Sequence, residues 1–242
     1  MKFTDIRRLG WDTESTGVNP LEDRIVTAAI VVRGGGRENR DFSFLINPGV
    51  PIPKAASDIH GVTDDMVQAD GRDPKEALDE IAAQLAAAIT WGMPVVAFNQ
   101  SYDWTILHHD LRRNGLPTVE ERLSTAPYEL IDPHVLDKQI TPRVRGKGAR
   151  KLKPTCERYG IALEDWHTAE ADALAALLLA DAMFGYHPKL AEMGPEQLFA
   201  AQRAWRAEQQ TSLQEFLRQT EPTAYCAPEW PLLPAQRDGG AS

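Results

Sequence analysis

The stretch RIVTAAIVVR, residues 24–33, constrains the fold of this chain more than any other. Its β-branched and apolar residues follow one another with few interruptions, which is typical of a buried strand. Residues 7–14 also have a strand pattern, and residues 41–46 alternate polar and apolar side chains as a strand does. A glycine-rich connection, RGGGREN, separates the second strand from the third. We therefore predict that the chain begins with an antiparallel meander of three strands.

Strands and helices alternate after this meander. Residues 74–89 form an amphipathic pattern with a proline in the first turn, which predicts a helix. A short buried strand is predicted at 93–98, then a helix at 101–115 that Ser101 caps and Gly115 closes. A fifth strand is predicted at 128–133, followed by helices near 151–159 and 168–185. This order predicts an α/β fold with a mixed five-stranded sheet flanked by helices, within a domain of residues 1–186.

The chain beyond this domain has two different patterns. Residues 187–220 are helical in pattern, with Pro195 opening one segment, and we predict a C-terminal helical extension. Residues 221–242 are rich in proline and have little periodicity, which predicts an extended arm or a disordered tail. Three roles are open for these segments: packing on their own domain, docking a DNA polymerase or repair partner, or forming a homodimer. We favour packing on the domain.

Composition limits the class of protein. The two cysteines match no metal or disulfide spacing, which indicates a reducing compartment. The first ten residues lack the apolar core of a signal peptide, and the longest apolar run, residues 173–180, is too short to span a bilayer. We therefore expect a cytoplasmic protein without a membrane segment. The net charge of −9 argues against a protein that coats nucleic acid by bulk electrostatics, but it allows an enzyme that binds nucleic acid locally.

Two acids stand at the end of the first strand, in the stretch WDTESTG. Side chains two apart on a strand point to the same face, so Asp12 and Glu14 aim at one spot while Thr13 points away. An exposed polar edge would explain two such residues by themselves. Burying two like charges is costly unless a cation offsets them, and oxygen ligands suit Mg²⁺ or Mn²⁺.

Further acids follow in a fixed order along the chain. Asp103 lies in the first turn of the helix that follows the strand at 93–98, and Asp172 lies one turn into a late helix. His167 stands five residues before Asp172. Each acid alone is also explained by compensation of a helix dipole. The spacing between His167 and Asp172 is a weak signal too, because His60 and Asp65 repeat it. Only the ordered combination carries weight.

This ordered set closely resembles the DEDDh, or DnaQ-like, 3′–5′ exonucleases, which have an RNase H-like fold of three layers. WDTESTG resembles the first motif of that family, and HGVTDDMV resembles the segment that follows its third strand. VVAFNQSYDWTIL resembles the second motif, in which an asparagine precedes the acid by four residues. KLKPTCERYGI followed by HTAEADALAAL resembles the third motif and the helix before it. The resemblance covers roughly residues 8 to 185.

The resemblance implies a role for each matching position. Asp12, Glu14, Asp103 and Asp172 would bind two divalent ions, Mg²⁺ or Mn²⁺, and His167 would be the general base. The positions that would lie near the terminal nucleotide are Thr13, Ser15, Thr16, Gly17, His60 and Asn99. The chain departs from many members at Phe98, where they carry a smaller or polar residue, and at Trp104. Neither departure touches the acids or the histidine, but both concern the nucleotide pocket.

A basic cluster, RVRGKGARKLK, interrupts the acidic chain at residues 143–153. A solvated loop is one reading. The position of the cluster before the third motif favours a second interpretation, in which Arg150, Lys151 and Lys153 contact the backbone of an incoming nucleic acid strand.

We expect an exonuclease that acts on single-stranded 3′ ends, and we favour DNA as its substrate. An exoribonuclease or oligoribonuclease is the alternative, and a non-catalytic adaptor with the same fold is a third.

Overall fold

The computed structural model describes residues 2–162 and 168–235. Its strands are β1 (Arg8–Ser15), β2 (Ile25–Arg33), β3 (Arg40–Leu45), β4 (Val95–Val96) and β5 (Leu130–Ile131). They form one sheet in the order β3-β2-β1-β4-β5. The first three strands pair antiparallel, whereas β4 pairs parallel with both β1 and β5. The predicted meander and the predicted mixed five-stranded sheet are both confirmed.

Helices cover both faces of this sheet. They are α1 (Lys54–His60), α2 (Asp64–Asp70), α3 (Pro74–Thr90), α4 (Ser101–Arg113), α5 (Pro133–Ile140), α6 (Leu152–Arg158), α7 (Ala169–Tyr186), α8 (Pro188–Ala191) and α9 (Pro195–Leu217). One core contains Leu9 and Trp11 of β1 with the apolar faces of α3 and α4. A second core, on the opposite face, contains Val31 and Val96 with α7. The three-layer α/β architecture is therefore confirmed.

Local signals placed most helices correctly. Pro74 and Pro195 open α3 and α9, and the side chain of Thr168 accepts a hydrogen bond at the start of α7. The predicted cap of α4 is wrong, because Ser101 is already the first helical residue and no side chain caps that helix. No helix is predicted at 54–60 or at 133–140, because α1 and α5 span only seven and eight residues, fewer than the roughly 11 to 18 over which helical periodicity is assessed.

The C-terminal segment packs on the rest of the chain. Phe199 of α9 and Trp230, beyond that helix, are buried in the core that also contains Trp11. The side chain of Gln202 accepts a hydrogen bond from the Asp132 amide (2.8 Å) and donates one to the Leu130 carbonyl (2.9 Å). At the edge of a sheet, backbone amides and carbonyls such as these have no neighbouring strand with which to form hydrogen bonds. Gln202 therefore supplies to β5 the bonds that a sixth strand would supply.

In residues 2–162 and 168–235, every helix is too short or too polar to cross a membrane.

Candidate active site

Three carboxylates converge where β1 meets α7. Asp12 and Glu14 lie two apart on β1, and Asp172 lies in the first turn of α7. Each offers one oxygen, and these oxygens all lie within 4.8 Å of one another. All three side chains are partly exposed, so an ion can reach them. Oxygen donors in this arrangement suit a hard divalent cation, and the cluster could bind one.

Gly10 explains why α7 comes so close to β1. It lies two residues before Asp12 and thus on the same face of the strand. A Cβ atom added at Gly10 would lie 2.5 Å from the carbonyl oxygen of Ala173, the residue after Asp172. Backbone cannot yield at that distance as a flexible side chain can. The absence of a side chain at Gly10 therefore sets the depth at which Asp172 stands beside Asp12.

Asp103 reaches the site from the other face of the sheet. Its Oδ1 accepts hydrogen bonds from the Thr13 amide (3.0 Å) and from the Thr13 hydroxyl (2.7 Å). Thr13 does point away from Asp12 and Glu14, as the strand period requires, and it meets Asp103 there. Asp103 is 3% exposed, and its charge raises the pKa of Asp12. Asp103 and the acids on the opposite face of β1 thus influence one another electrostatically.

These acids repel one another in a poorly solvated place. Burial raises the pKa of Asp12 well above its ordinary value, and Asp103, Asp172 and Glu14 raise it further. Burial, then Asp172 and Asp103, raise the pKa of Glu14 to about 7. Burial also raises the pKa of Asp103 to about 7, although Thr13 donates to it. In the described part of the chain, no lysine or arginine forms an ion pair with Asp12, Glu14 or Asp103. Among the described residues, these three acids therefore lie together without a side-chain cation to balance them.

His167, the predicted general base, lies outside the described residues. Its role stays a prediction.

The segment after β1 is held by its own side chains. The Ser15 hydroxyl donates a hydrogen bond to the Gly17 carbonyl (2.7 Å), and the Tyr102 hydroxyl lies 2.5 Å from the Ser15 hydroxyl. Thr16 donates to Asp23 (3.0 Å), and a Cβ atom at Gly17 would lie 2.5 Å from the same carboxylate. The hydroxyls of Ser15 and Thr16, two of the residues predicted to lie near the terminal nucleotide, therefore already have partners within the protein.

His60 and Asn99 are two further residues predicted to lie near the terminal nucleotide. The ring of His60 accepts a hydrogen bond from the Val62 amide (3.1 Å), and burial lowers the pKa of His60 while the nearby Ser15 carbonyl opposes that shift. Asn99 lies between β4 and α4, with a φ of 61°. Its amide donates to Asp132 (2.9 Å). Contact of either residue with a nucleotide stays a prediction.

The basic cluster divides into two kinds of residue. The guanidinium of Arg150 donates to Asp137 (2.7 Å) and to the Thr141 carbonyl (2.6 Å), so its charge is largely compensated. Lys151 and Lys153 are exposed at the start of α6. Lys151 and Lys153 are therefore more exposed than Arg150, and contact of any of the three with a nucleic acid strand stays a prediction.

Several residues that support the site were not predicted from the sequence. Tyr102 and Asp23 hold the Ser15–Gly17 segment, and nothing in their local sequence marks them. Gly10 could have been found, because a glycine inside a strand often signals a close backbone approach. Asp132 could also have been found, since it directly follows a strand and precedes a proline, the pattern of a helix N-cap.

The chain matches a family model described as "Exonuclease" (RNase_T) over residues 9–180. The chain belongs to this exonuclease family. The matched region contains both faces of the site described above, with Asp12, Glu14, Asp103 and Asp172. The resemblance to DnaQ-like 3′–5′ exonucleases that the motifs indicated is confirmed.

Similar proteins occur inside much longer chains. A PolC-type DNA polymerase III of Lacticaseibacillus paracasei is 27% identical over 165 residues, which are 68% of this chain and 10% of the relative. The PolC-type DNA polymerase III of Streptococcus sanguinis is 26% identical over 175 residues, which are 72% of this chain and 11% of the relative. The chain thus spans about a tenth of the length of the curated relatives it matches.

Solved structures share the fold. Exonuclease I of Methylocaldum szegediense has a TM-score of 0.63 and 22% identity, and the match covers 76% of this chain and 41% of that one. Exonuclease I of E. coli, solved in complex with a dT13 oligonucleotide, has a TM-score of 0.61 and 18% identity over 77% of this chain and 42% of that one. At these identities the likeness confirms the RNase H-like fold.

Proposed function

We propose that this protein is a metal-dependent 3′–5′ exonuclease that releases nucleoside 5′-monophosphates from the 3′ ends of single-stranded DNA. The observation that carries the proposal is the convergence of Asp12, Glu14 and Asp172 within 4.8 Å of one another, with Asp103 beside them. The family of the chain supports the reaction, and the site supports the need for metal.

The carboxylates fit divalent cations by charge and by donor type. Like charges at this separation raise one another's pKa, and a bound cation removes that penalty. We assign one Mg²⁺ or Mn²⁺ to Asp12, Glu14 and Asp172, and a second to Asp12 and Asp103. When bound, such ions activate water as a nucleophile and stabilise charge on the leaving oxygen.

The remaining chemistry belongs to side chains of this protein. His167 takes the proton of the attacking water, because an imidazole titrates near neutral pH. Thr13 fixes the orientation of Asp103 through two hydrogen bonds to the same oxygen, Oδ1. The Ser15–Gly17 segment, which Tyr102 and Asp23 hold in place, forms one wall for the terminal nucleotide together with His60 and Asn99.

Single-stranded DNA is the favoured substrate because exonuclease I of E. coli, with the same fold, was solved with a DNA oligonucleotide. Both Lys151 and Lys153 are exposed at the start of α6 and can contact the backbone of an incoming strand. Arg150 supports the loop that presents them. Selectivity for RNA, as in the alternative exoribonuclease, would need a polar contact that reads the 2′-hydroxyl group.

The test is degradation of 5′-labelled single-stranded DNA, duplex DNA and RNA with Mg²⁺ or Mn²⁺. We expect a ladder that shortens from the 3′ end of single-stranded DNA and that disappears with a chelator or in Asp12→Ala. His167→Ala should lose activity while it retains metal binding. Equal or faster degradation of RNA would replace the DNA assignment with the exoribonuclease. Binding without cleavage under either metal would favour the non-catalytic adaptor.

A polymerase or repair partner and a homodimer stay predictions. The PolC-type relatives are polymerases, and this chain corresponds to about a tenth of their length. Light scattering of the purified protein measures the oligomeric state directly.

A further inference from the structure

The loop between β4 and α4 has an unusual backbone conformation. Asn99 has a φ of 61°, and among the described residues it is the only non-glycine residue with a positive φ. Asparagine tolerates this left-handed region better than most residues, but the conformation still needs support from its surroundings. The loop leads directly into α4, whose first turn carries Asp103. The contacts that hold Asn99 in this conformation therefore also hold the start of α4 and, with it, the active-site acid Asp103.

That support comes from one buried carboxylate. Asp132 is 0% exposed, and its two oxygens accept hydrogen bonds from the backbone amides of Asn99 (2.9 Å) and Gln100 (3.0 Å). It also accepts from the His134 amide (2.9 Å) in the first turn of α5. Hydrogen bonds from amides to an ionised acceptor are among the strong ones. One side chain thus fixes the start of α4 and the start of α5.

The C-terminal segment holds this carboxylate in turn. The indole N–H of Trp230 donates a hydrogen bond to the Asp132 carboxylate (3.3 Å). The side chain of Gln202, in α9, accepts a hydrogen bond from the backbone amide of Asp132 (2.8 Å). Arg206, one turn after Gln202 and 6% exposed, places a positive charge near it. The Leu233 amide donates to the hydroxyl of Thr105 (2.9 Å), two residues after Asp103. Residues 202–233 therefore hold Asp132 and contact α4 itself.

We propose that Asp132 is a positioning residue for the exonuclease site, and that α9 and the C-terminal arm hold it through Gln202 and Trp230. The inference rests on the proposed function, because Asp103 is taken to bind metal. Asparagine at position 132 would keep one acceptor but would turn an NH₂ group toward an amide that needs an acceptor. The loop would then leave its conformation, and Asp103 would move with the start of α4.

Activity gives the first measurement. In Asp132→Asn we expect kcat to fall by about 100-fold, the half-saturating Mg²⁺ concentration to rise, and KM for single-stranded DNA to change less than kcat. Trp230→Phe removes a single donor and retains an aromatic ring beside Phe199, so it should give a smaller loss in the same direction. If Asp132→Asn does not fold, Trp230→Phe carries the test.

The control is Asp181→Asn. Asp181 forms a buried ion pair with Arg8 at the opposite end of β1 from Asp12. This variant should lose thermal stability and retain the kcat and the Mg²⁺ dependence of the unaltered protein. Equal kcat and equal Mg²⁺ dependence in Asp132→Asn and Asp181→Asn would overturn the proposal, since Asp132 would then contribute only to folding.

Hydrogen exchange of the Asn99 and Gln100 amides gives a second measurement that does not depend on catalysis. We expect faster exchange at both amides in Asp132→Asn and Trp230→Phe, and unchanged exchange in Asp181→Asn. Unchanged exchange in the first two variants would overturn the proposal. If the unaltered protein degrades no substrate, the proposed function fails. The exchange rates, together with the affinity for Mn²⁺, would still decide whether Asp132 positions the loop and Asp103.

Discussion

Two groups of carboxylates lie within this small protein and differ in what surrounds them. Asp132 and Asp137 are 0% exposed, and backbone amides or arginines meet their oxygens. Asp12 and Glu14 lie beside other acids, and in the described part of the chain neither has an ion-pair partner. The first group is complete within the fold. In the second group like charges repel one another, and a bound cation would compensate that repulsion. This difference separates the supporting acids from the candidate catalytic ones.

The sharpest test of this difference is to neutralise one acid of each group. Asp12→Asn should lower exonuclease activity on the order of 10³-fold, because a metal ligand is removed. It should leave the Tm of the metal-free protein unchanged or raised, since it relieves repulsion. Asp137→Asn should instead lower stability by about 3 kcal/mol, because Arg150 and Arg158 lose their buried partner.

The measurements are initial rates with Mg²⁺ and thermal unfolding in chelator. A fall in Tm for Asp12→Asn as large as that for Asp137→Asn would remove the distinction between the two groups.

Gly10→Ala tests whether activity requires the close approach of α7 to β1 that places Asp172 beside Asp12 and Glu14. The added methyl group would meet the Ala173 carbonyl and force α7 away from β1, with Asp172 on it. We expect activity to fall by about 100-fold and the affinity for Mn²⁺ to fall with it. Gly185→Ala, at the far end of α7 where a Cβ atom meets nothing, is the matched control and should retain activity. Full activity in Gly10→Ala would show that this spacing is not needed.

The pH dependence of metal binding tests the charges. The folded-state pKa values of Glu14 and Asp103, about 7, lie above their ordinary values of 4.5 and 3.8. The folded state therefore binds more protons between about pH 4 and pH 7, and the stability of the metal-free protein falls as the pH rises through that window.

A cation competes with these protons. We expect the half-saturating Mg²⁺ concentration to fall by about 10-fold or more between pH 5.5 and pH 8, and the gain in Tm from Mg²⁺ to be larger at the higher pH. Calorimetric titration at both values checks this. Metal binding that does not vary with pH would contradict the raised pKa values.

The smallest expected effect concerns the exposed lysines. Lys151→Gln with Lys153→Gln should weaken binding of single-stranded DNA and reduce the slope of log K against log salt by about 0.7 for each phosphate that a lysine no longer neutralises. Lys54→Gln, whose lysine pairs with Asp58 far from this segment in sequence, is the matched control. An unchanged slope in the double variant would place the strand elsewhere.

Patterns that depend on near neighbours were sufficient for much of the fold. The β-branched run at 24–33 predicted β2, and the prolines at 74 and 195 predicted the starts of α3 and α9. The two-residue period of β1 predicted that Asp12 and Glu14 share a face and that Thr13 points away. The failed predictions were local too. No side chain caps α4 at its N-terminus, and α1 and α5 are shorter than the window over which helical periodicity is assessed.

The sequence by itself determined which acids occur, in what order, and that two of them share one face of a strand, because strand geometry repeats every two residues. Only the tertiary structure decided that Asp103 meets Thr13 on the opposite face and that Gly10 admits α7 to bring Asp172 close. Only the tertiary structure joined Asp132 to Trp230, 98 residues later. Contacts between distant segments depend on packing of the whole sheet and its helices, and no local pattern of residues encodes them.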